Sequence, residues 1–142
     1  MRIFKFGGAS VKDSIAIQNL FSILNQQGYD KTLLVISAMG KTTNAFEVVV
    51  KNYFQNKEEL QHSINEIFKF HNQILFDLFS NKNHKVFKDI HFIFENLKGF
   101  LNRNKSPNYS FVYDQVVPNG ELLSTKIISA YLNFKGIKSN WI

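Results

Sequence analysis

Four residues near the amino terminus have the types and the spacing of a phosphate-binding turn. A lysine near the end of the apolar stretch RIFKF is followed by two glycines and a serine: Lys5, Gly7, Gly8 and Ser10. Glycines let backbone N–H groups approach phosphate oxygens closely, and a lysine supplies a positive point charge. A helix that begins at Ser10 would add the positive end of its dipole. A strand-to-helix corner also uses glycine, so a purely structural turn stays open.

The stretch VISAMGKTTN, residues 35–44, is a second candidate binding loop. Its GKT at 40–42 matches the end of the phosphate loop G-x-x-x-x-G-K-[ST], but Val35 stands where the first glycine is required. A loop without that glycine cannot wrap a phosphate in the same way. The hydroxyls of Ser37, Thr42 and Thr43 beside a helix start still suit an anion or a substrate, with a simple helix cap as the alternative.

The stretch NGELLS, residues 119–124, places Glu121 in the first turn of a predicted helix. The helix dipole favours the ionised carboxylate there, which can accept a hydrogen bond from an ammonium or hydroxyl group. A glutamate that merely starts a helix is the alternative. The four histidines lack the spacing of metal ligands, and His71 lies on an apolar helix stripe, where we expect a core residue with its hydrogen bonds satisfied.

A strand–helix–strand unit must position the first two motifs. RIFKF predicts a strand, and Ser10 with Asp13 predicts a capping box for a helix that ends near Gly28. The continuous apolar run at 31–37 predicts a buried second strand, parallel to the first because a helix connects them. A further helix is expected after a capping box formed by Asn44 and Glu47.

The rest of the chain reads as mostly helical. Apolar residues recur at intervals of three and four over 57–103, which predicts an antiparallel helical hairpin joined around 80–83. The phenylalanines on these stripes are expected in the core and not as platforms for stacked bases. Helices are predicted from Tyr109 and again from Glu121 to Gly136, and residues 137–142 predict a third strand. Since no turn follows that strand, we interpret the chain as part of a longer domain.

The composition of the chain limits the kinds of partner that we expect it to bind. The 142 residues carry a net charge of +6, 44% hydrophobic residues and no cysteine, which fits a globular domain without disulfides that meets anionic ligands. The lysines are scattered and no nucleic-acid motif accompanies them, so we expect no nucleic-acid partner. No apolar run approaches the roughly 20 residues that span a membrane, and no signal peptide is visible, so we predict a cytoplasmic protein.

The three motifs KFGGASV, SAMGKTTN and GELLS, in this order and at this spacing, resemble the aspartate kinases of the amino acid kinase family. The resemblance covers residues 1–142 as the amino-terminal part of the catalytic domain, with the carboxyl-terminal half and the regulatory domains absent. It implies an α/β fold, a parallel-sheet αβα sandwich that is truncated here, with a helical insertion at about 57–103. It further implies an enzyme that is a homo-oligomer at full length.

The resemblance also implies the activity and the site. The activity is transfer of phosphate from ATP, with Mg²⁺, to the side-chain carboxylate of L-aspartate, the first step of lysine, threonine and methionine biosynthesis. Lys5 is the implied catalytic residue. The implied ATP phosphate-binding residues are Lys5, Phe6, Gly7, Gly8 and Ser10, the implied substrate-binding residues are Ser37, Thr43 and Glu121, and no metal ligand is implied. Ala9 departs from the family, which usually has threonine there, so Ser10 is expected to carry more of that role.

The implied chemistry suits these residues. The side-chain carboxylate of the acceptor has a pKa of about 4, so it is already ionised at neutral pH and needs no general base. Two alternatives stay open. One is a kinase for another small acceptor, glutamate or a nucleoside monophosphate, against which Thr43 and Glu121 argue. The other is a non-catalytic assembly or regulatory module that uses the hairpin, with an exposed apolar patch over 60–101 and no cleft at Lys5. We expect the 142 residues alone to be inactive and to bind ATP weakly.

Overall fold

The computed structural model describes residues 1–142 as a mixed α/β structure with two strands and six α-helices. The strands are β1 (Arg2–Phe6) and β2 (Thr32–Ile36). A short 3₁₀ turn, Gly8–Val11, follows β1. The α-helices are α1 (Ser14–Gln27), α2 (Thr42–Gln55), α3 (Lys57–Leu78), α4 (Lys85–Arg103), α5 (Tyr109–Val116) and α6 (Asn119–Phe134). No helix is long and apolar enough to cross a membrane.

The predicted strand–helix–strand unit is confirmed. β1 and β2 pair in parallel, with Lys5 opposite Val35 and Phe6 opposite Ile36, and α1 connects them. Phe6 and Ile36 point into the core, whereas Val35 on β2 is 42% exposed together with Lys5 on β1. One face of the sheet is therefore covered by helices, and the other is the face on which a second helical layer of a sandwich would pack.

The start of α1 differs from the prediction. Ser10 lies in the 3₁₀ turn, and α1 begins four residues later, at Ser14. Asp13 is its cap, since its carboxylate accepts a hydrogen bond from the amide of Ala16 at 2.8 Å. The predicted end of the helix is right: Gly28 ends α1 with a φ of 78°, a left-handed value that favours glycine.

The start of α2 also differs. Asn44 does not cap the helix, because α2 already begins at Thr42. The hydroxyl of Thr42 donates to the carbonyl oxygen of Met39 at 2.6 Å, and its amide donates to the same oxygen at 3.0 Å. These two bonds close a turn two residues before the position where the sequence suggested a cap. Glu47 instead accepts a hydrogen bond from the hydroxyl of Tyr113 on α5, at 2.8 Å.

Helices α3 and α4 form the predicted antiparallel hairpin, with residues 79–84 between them. Two aromatic pairs show that the helices run in opposite directions, because the later residue of α3 pairs with the earlier residue of α4. The rings of Phe68 and Phe94 lie 5.2 Å apart, and those of Phe76 and Phe87 lie 5.4 Å apart. Not every phenylalanine is in the core as predicted. The exposed ones are Phe70, Phe76, Phe92, Phe111 and Phe134.

His71 on α3 is a fully buried core residue, as predicted, but its hydrogen bonds are only half satisfied. Its Nδ1 lies 2.8 Å from the carbonyl oxygen of Ile67, while Nε2 is buried and has no partner. Burial lowers the pKa of His71 from 6.5 to about 4, because a charged imidazolium would lose its hydration there. The residue is therefore neutral in the folded protein at neutral pH.

The prediction of a third strand at 137–142 was wrong: the sheet has two strands, and these residues form no regular element. Side chains of α6 hold them instead. Asn133 accepts a hydrogen bond from the amide of Ser139 and donates one to its carbonyl oxygen, both at 3.0 Å. Trp141 donates from Nε1 to the hydroxyl of Thr125, and Lys126 lies over its ring at 3.7 Å. The bonds from Asn133 occupy the backbone N–H and carbonyl oxygen of Ser139, which a strand would offer to its neighbour.

Helices α5 and α6 lie close to their predicted positions. The helix predicted from Tyr109 begins there, capped by the side chain of Asn108, which accepts from the amide of Phe111 at 3.0 Å. The next helix begins at Asn119, two residues before Glu121, so Gly120 lies inside its first turn. Gly120 therefore contacts the rest of the molecule as part of the first turn of α6.

Candidate active site

The carboxyl ends of the two strands lead into loops that are hydrogen-bonded to each other. The amide of Ser37 donates to the carbonyl oxygen of Phe6 at 3.0 Å, which extends the strand pairing by one step. The amide of Gly40 donates to the carbonyl oxygen of Gly8, also at 3.0 Å. The first and second motifs therefore form one continuous surface at the edge where open α/β sheets bind their ligands.

The two glycines of the first motif have different surroundings. A methyl group built on Gly8 would lie 2.9 Å from the carbonyl oxygen of Gly40 and 3.0 Å from that of Ala38. Both contacts are with backbone, which cannot move aside, so the docking of the loops requires glycine at position 8. A methyl group built on Gly7 would meet nothing within 4 Å. The open space beside Gly7 is available to a ligand.

Lys5 lies on the exposed face of β1, next to the glycine turn. The three ion pairs in the structure are all within α4, so no carboxylate neutralises Lys5. Phe6 is buried, and its carbonyl oxygen accepts a hydrogen bond from the amide of Ser37. The arrangement sets an uncompensated positive charge beside a turn of backbone amides.

The 3₁₀ turn, and not α1, supplies the amides beside Lys5. The amide of Ser10 donates to the carbonyl oxygen of Gly7 at 2.9 Å, and none of the hydrogen bonds outside regular elements is donated by the amides of residues 7–9. The expectation that the dipole of α1 points at this turn was wrong, because Asp13 already caps that helix with a carboxylate. Free amides in a turn still form a concave anion site.

The GKT at 40–42 does not form a phosphate loop. Thr42 is buried, and its hydroxyl is bound to the carbonyl oxygen of Met39. In a phosphate loop that hydroxyl would reach the metal of a bound nucleotide. Lys41 and Thr43, on either side, are exposed and half-buried respectively. The hydroxyl that such a loop would use is therefore already occupied in this structure.

The third motif docks directly on the second. A methyl group built on Gly120 would lie 2.9 Å from Cβ of Ala38 and 3.5 Å from Cγ2 of Thr42. The start of α6 is thereby pressed against the loop after β2 and the start of α2. Glu121, the next residue, is exposed in the first turn of α6.

Two helix amino termini meet at this contact. No side chain accepts a hydrogen bond from the first amides of α2, which follows Lys41, or from those of α6, which follows Pro118. The first amides of a helix have no acceptor within the helix, and their dipole favours negative charge. The half-buried hydroxyls of Ser37 and Thr43 lie on the same loop and first turn. This arrangement can hold a small molecule that carries a carboxylate, with Glu121 available for an ammonium group.

The candidate site is an open surface. Three cavities, of about 430, 370 and 260 Å³, touch the motifs only at Ile36, at Lys41 and Thr42, and at Asn119 and Leu122 respectively, and none of the phosphate- or substrate-binding residues implied by the resemblance lines them. No group of three or more histidine, cysteine, aspartate or glutamate side chains is arranged to hold a metal ion. The structure brings the three motifs together but does not enclose them.

Sequence reasoning missed the residues that dock the motifs on one another. Ala38 and Gly120 were quoted within the motifs but given no role, and the hydroxyl of Thr42, expected to suit an anion or a substrate, is bound to Met39 instead. Gly120 gave no signal of this contact, because the helix was predicted from Glu121 and glycine is common at the position before a helix.

Comparison with known proteins shows that this chain is similar to aspartokinases. No family model matches the chain. The chain is 24% identical over 146 residues to bifunctional aspartokinase/homoserine dehydrogenase 2, chloroplastic, of Arabidopsis thaliana, covering 99% of this chain and 16% of that protein. It is 28% identical over 141 residues to aspartokinase 2, chloroplastic, of the same organism, covering 96% of this chain and 25% of that protein. It thus spans a quarter or less of these relatives.

The solved structures agree on the fold. The chain superposes on E. coli aspartokinase III in complex with aspartate and ADP with a TM-score of 0.85 at 22% identity, covering 100% of this chain and 31% of that one. The complex of the same enzyme with lysine and aspartate gives 0.84. The similarity to aspartate kinases predicted from the three motifs is confirmed, and so is the α/β fold with its parallel sheet.

Proposed function

We propose that this chain is the amino-terminal part of the catalytic domain of an aspartate kinase, which transfers a phosphoryl group from ATP to the side-chain carboxylate of L-aspartate. The observation that carries the proposal is the docking of three motifs at the carboxyl ends of the strands: Gly8 against Gly40, and Gly120 against Ala38. The aspartokinase III structure with aspartate and ADP shares this fold, which supports the same placement of ligands.

The phosphate side of the site must offset negative charge, because an anionic carboxylate has to approach an anionic nucleotide. Lys5 has no ion-pair partner in the structure and lies beside the free amides of the glycine turn. In this proposal Lys5 is the catalytic residue that stabilises charge on the transferring group. Phe6, Gly7 and Gly8 present backbone to the phosphates, and Ser10 adds the hydroxyl that Ala9 lacks.

The acceptor side must hold an amino acid by both of its backbone charges. Glu121 accepts a hydrogen bond from the ammonium group in this proposal, while Ser37 and Thr43 bind carboxylate oxygens beside the amino termini of α2 and α6. The reacting carboxylate is ionised at neutral pH and attacks directly, so no side chain has to remove a proton. The protein contributes orientation and charge, which are the main sources of catalysis in phosphoryl transfer.

Mg²⁺ enters this proposal as part of the ATP complex. The absence of an acidic or histidine cluster among these residues leaves the phosphates as its ligands on this side of the site. Since the chain covers 31% of the solved aspartokinase chain, we propose that other contacts to ATP lie outside these 142 residues, which alone do not turn over substrate. The helical hairpin at 57–103 is proposed as an insertion in the catalytic domain.

The proposal also covers the metabolic role, the assembly and the location of the enzyme. The product, an acyl phosphate of aspartate, would feed lysine, threonine and methionine biosynthesis in a homo-oligomeric enzyme. The curated relatives are described as chloroplastic, so they give no support for the cytoplasm, which remains our sequence-based proposal. Cell fractionation of the full-length protein tests it.

One observation favours the second candidate, a non-catalytic binding module. Three phenylalanines on the hairpin are exposed, Phe70, Phe76 and Phe92, the last at 65%. An acceptor assay decides between the candidates: ADP formation by the full-length protein is measured with aspartate, glutamate and nucleoside monophosphates. We expect turnover with aspartate alone. Turnover with another acceptor would assign a related kinase, and no turnover with any of them would assign the binding module.

A further inference from the structure

Each of the three residues proposed to bind the acceptor is a sequence neighbour of a residue in one buried contact. Ser37 precedes Ala38, Thr43 follows Thr42, and Glu121 follows Gly120. The three inner residues pack on one another: Gly120 lies against both Ala38 and Thr42, all three are buried, and the ring of Phe46 lies beneath them. We call Ala38, Thr42 and Gly120 the buried contact.

We propose that Gly120 is a positioning residue that sets the fit of the site for the amino-acid acceptor, by fixing how closely α6 approaches the loop after β2. This inference rests on the proposed function. Gly120 acts here through space and not through backbone conformation, since its φ is not in the left-handed region. Alanine at this position would keep the helix but push Glu121 away from Ser37 and Thr43.

The surface opposite Gly120 is rigid, so the distance between α6 and the loop after β2 is fixed. Ala38 has no rotatable side chain, and the Cβ of alanine at position 120 would lie only 2.9 Å from the Ala38 Cβ. Thr42 is locked by two hydrogen bonds to Met39, at 2.6 and 3.0 Å. The clash is therefore relieved by movement of α6 as a body, and a displacement on the order of 1 Å at a reacting centre lowers activity severely.

The phosphate side shares with this contact only the backbone of Ala38, whose carbonyl oxygen faces Gly8. Gly8 is held by its own backbone hydrogen bond from Gly40, and the free amides of residues 7–9 belong to this turn and not to α6. Movement of α6 should thus weaken acceptor binding while leaving nucleotide binding intact. A purely structural role for Gly120 would instead lower stability and affect both substrates alike.

The test compares three variants of the full-length protein. They are the single variant Gly120→Ala, the double variant Ala38→Gly with Gly120→Ala, which we call the swap, and a control. The control is Gly99→Ala, because Gly99 also lies within a helix and its added methyl meets only the movable end of Arg103. For Gly120→Ala we expect the aspartate KM to rise about tenfold with the ATP KM changed less than about twofold, since only the acceptor side is displaced. The swap restores space and should recover most of the aspartate affinity.

Several results would overturn the inference. An unchanged aspartate KM in Gly120→Ala, an equal rise of both KM values, or a swap that fails to rescue would each do so. If Gly120→Ala gives no cooperative thermal unfolding, the single variant Ala38→Gly decides, because loosening the contact should also raise the aspartate KM alone. A wild-type protein without aspartate-dependent turnover would refute the proposed function itself, and this outcome is distinct from an active enzyme indifferent to Gly120.

Discussion

The amide of Gly40 donates a 3.0 Å hydrogen bond to the carbonyl oxygen of Gly8, and this bond joins the glycine turn after β1 to the loop after β2. The two carbonyl oxygens that face Gly8, those of Gly40 and Ala38, leave no room for a side chain. The phosphate side and the acceptor side of the proposed site are therefore built on a backbone contact, which a motif search sees only as two separate patterns.

Alanine substitutions at the two adjacent glycines should have different effects. Gly8→Ala forces a methyl against two backbone oxygens, so we expect a loss of stability of about 1–3 kcal/mol and a lower kcat/KM for ATP. Gly7→Ala is the matched control for folding, because its methyl would meet nothing within 4 Å. Urea denaturation of both variants measures this. Equal destabilisation would contradict the tight docking at Gly8.

Glu121→Gln removes the charge proposed to meet the ammonium group of aspartate. A hydrogen bond to a charged group contributes about 1.5–3 kcal/mol, so we expect the aspartate KM to rise by roughly 10- to 150-fold with little change for ATP. Glu58→Gln is the control, since Glu58 is also an exposed glutamate in the first turn of a helix. Steady-state kinetics with each substrate varied separately provides the measurement. An unaltered aspartate KM would remove Glu121 from the acceptor site.

Buried His71 should make the protein less stable in mild acid. The unfolded chain takes up a proton near pH 6.5, whereas burial keeps the folded pKa at about 4, so stability falls as the pH falls through this window. The full effect is at most about 3 kcal/mol for one group. His71→Leu should reduce this loss, and His62→Leu, an exposed histidine on the same helix, should not. Urea denaturation at about pH 7 and about pH 4.5 compares them, and equal losses in all three proteins would contradict the assignment.

The 142 residues taken alone should not catalyse phosphoryl transfer. Their sheet exposes the face that carries Lys5 and Val35, and the proposed site is open to water, where electrostatic stabilisation of a developing charge is weak. ADP release by the isolated segment in the presence of ATP, Mg²⁺ and aspartate is the measurement. Robust aspartate-dependent turnover would show that these residues suffice.

The βαβ unit was predictable because its signals are local. Apolar runs, a glycine after α1 and the connecting helix specify two parallel strands, and the structure has them in that arrangement. The starts of α1 and α2 were not predictable to the residue. Two capping candidates lie within four positions before α1, Ser10 and Asp13, and only the folded turn shows that Asp13 is used.

The third strand and the docking of the motifs depended on long-range contacts. Residues 137–142 have a pattern that suits a strand, but Asn133 binds the backbone of Ser139 and holds the segment along α6. The motifs were sufficient to find the similarity to aspartokinases. They did not reveal that Gly8 and Gly120 are required by the close approach of other backbone, because that approach exists only after folding.

The most direct test of the proposed function is aspartate-dependent ADP formation by the full-length protein with and without the Lys5 ammonium group. Lys5→Ala should fold normally, since Lys5 is exposed and makes no ion pair. Lys12→Ala is the control, an exposed lysine just beyond the same turn. We expect Lys5→Ala to lower kcat about 100-fold or more, the usual effect of removing a group that stabilises transition-state charge, with Lys12→Ala near wild type. A Lys5→Ala enzyme that turns over aspartate at the wild-type rate would contradict the proposed mechanism.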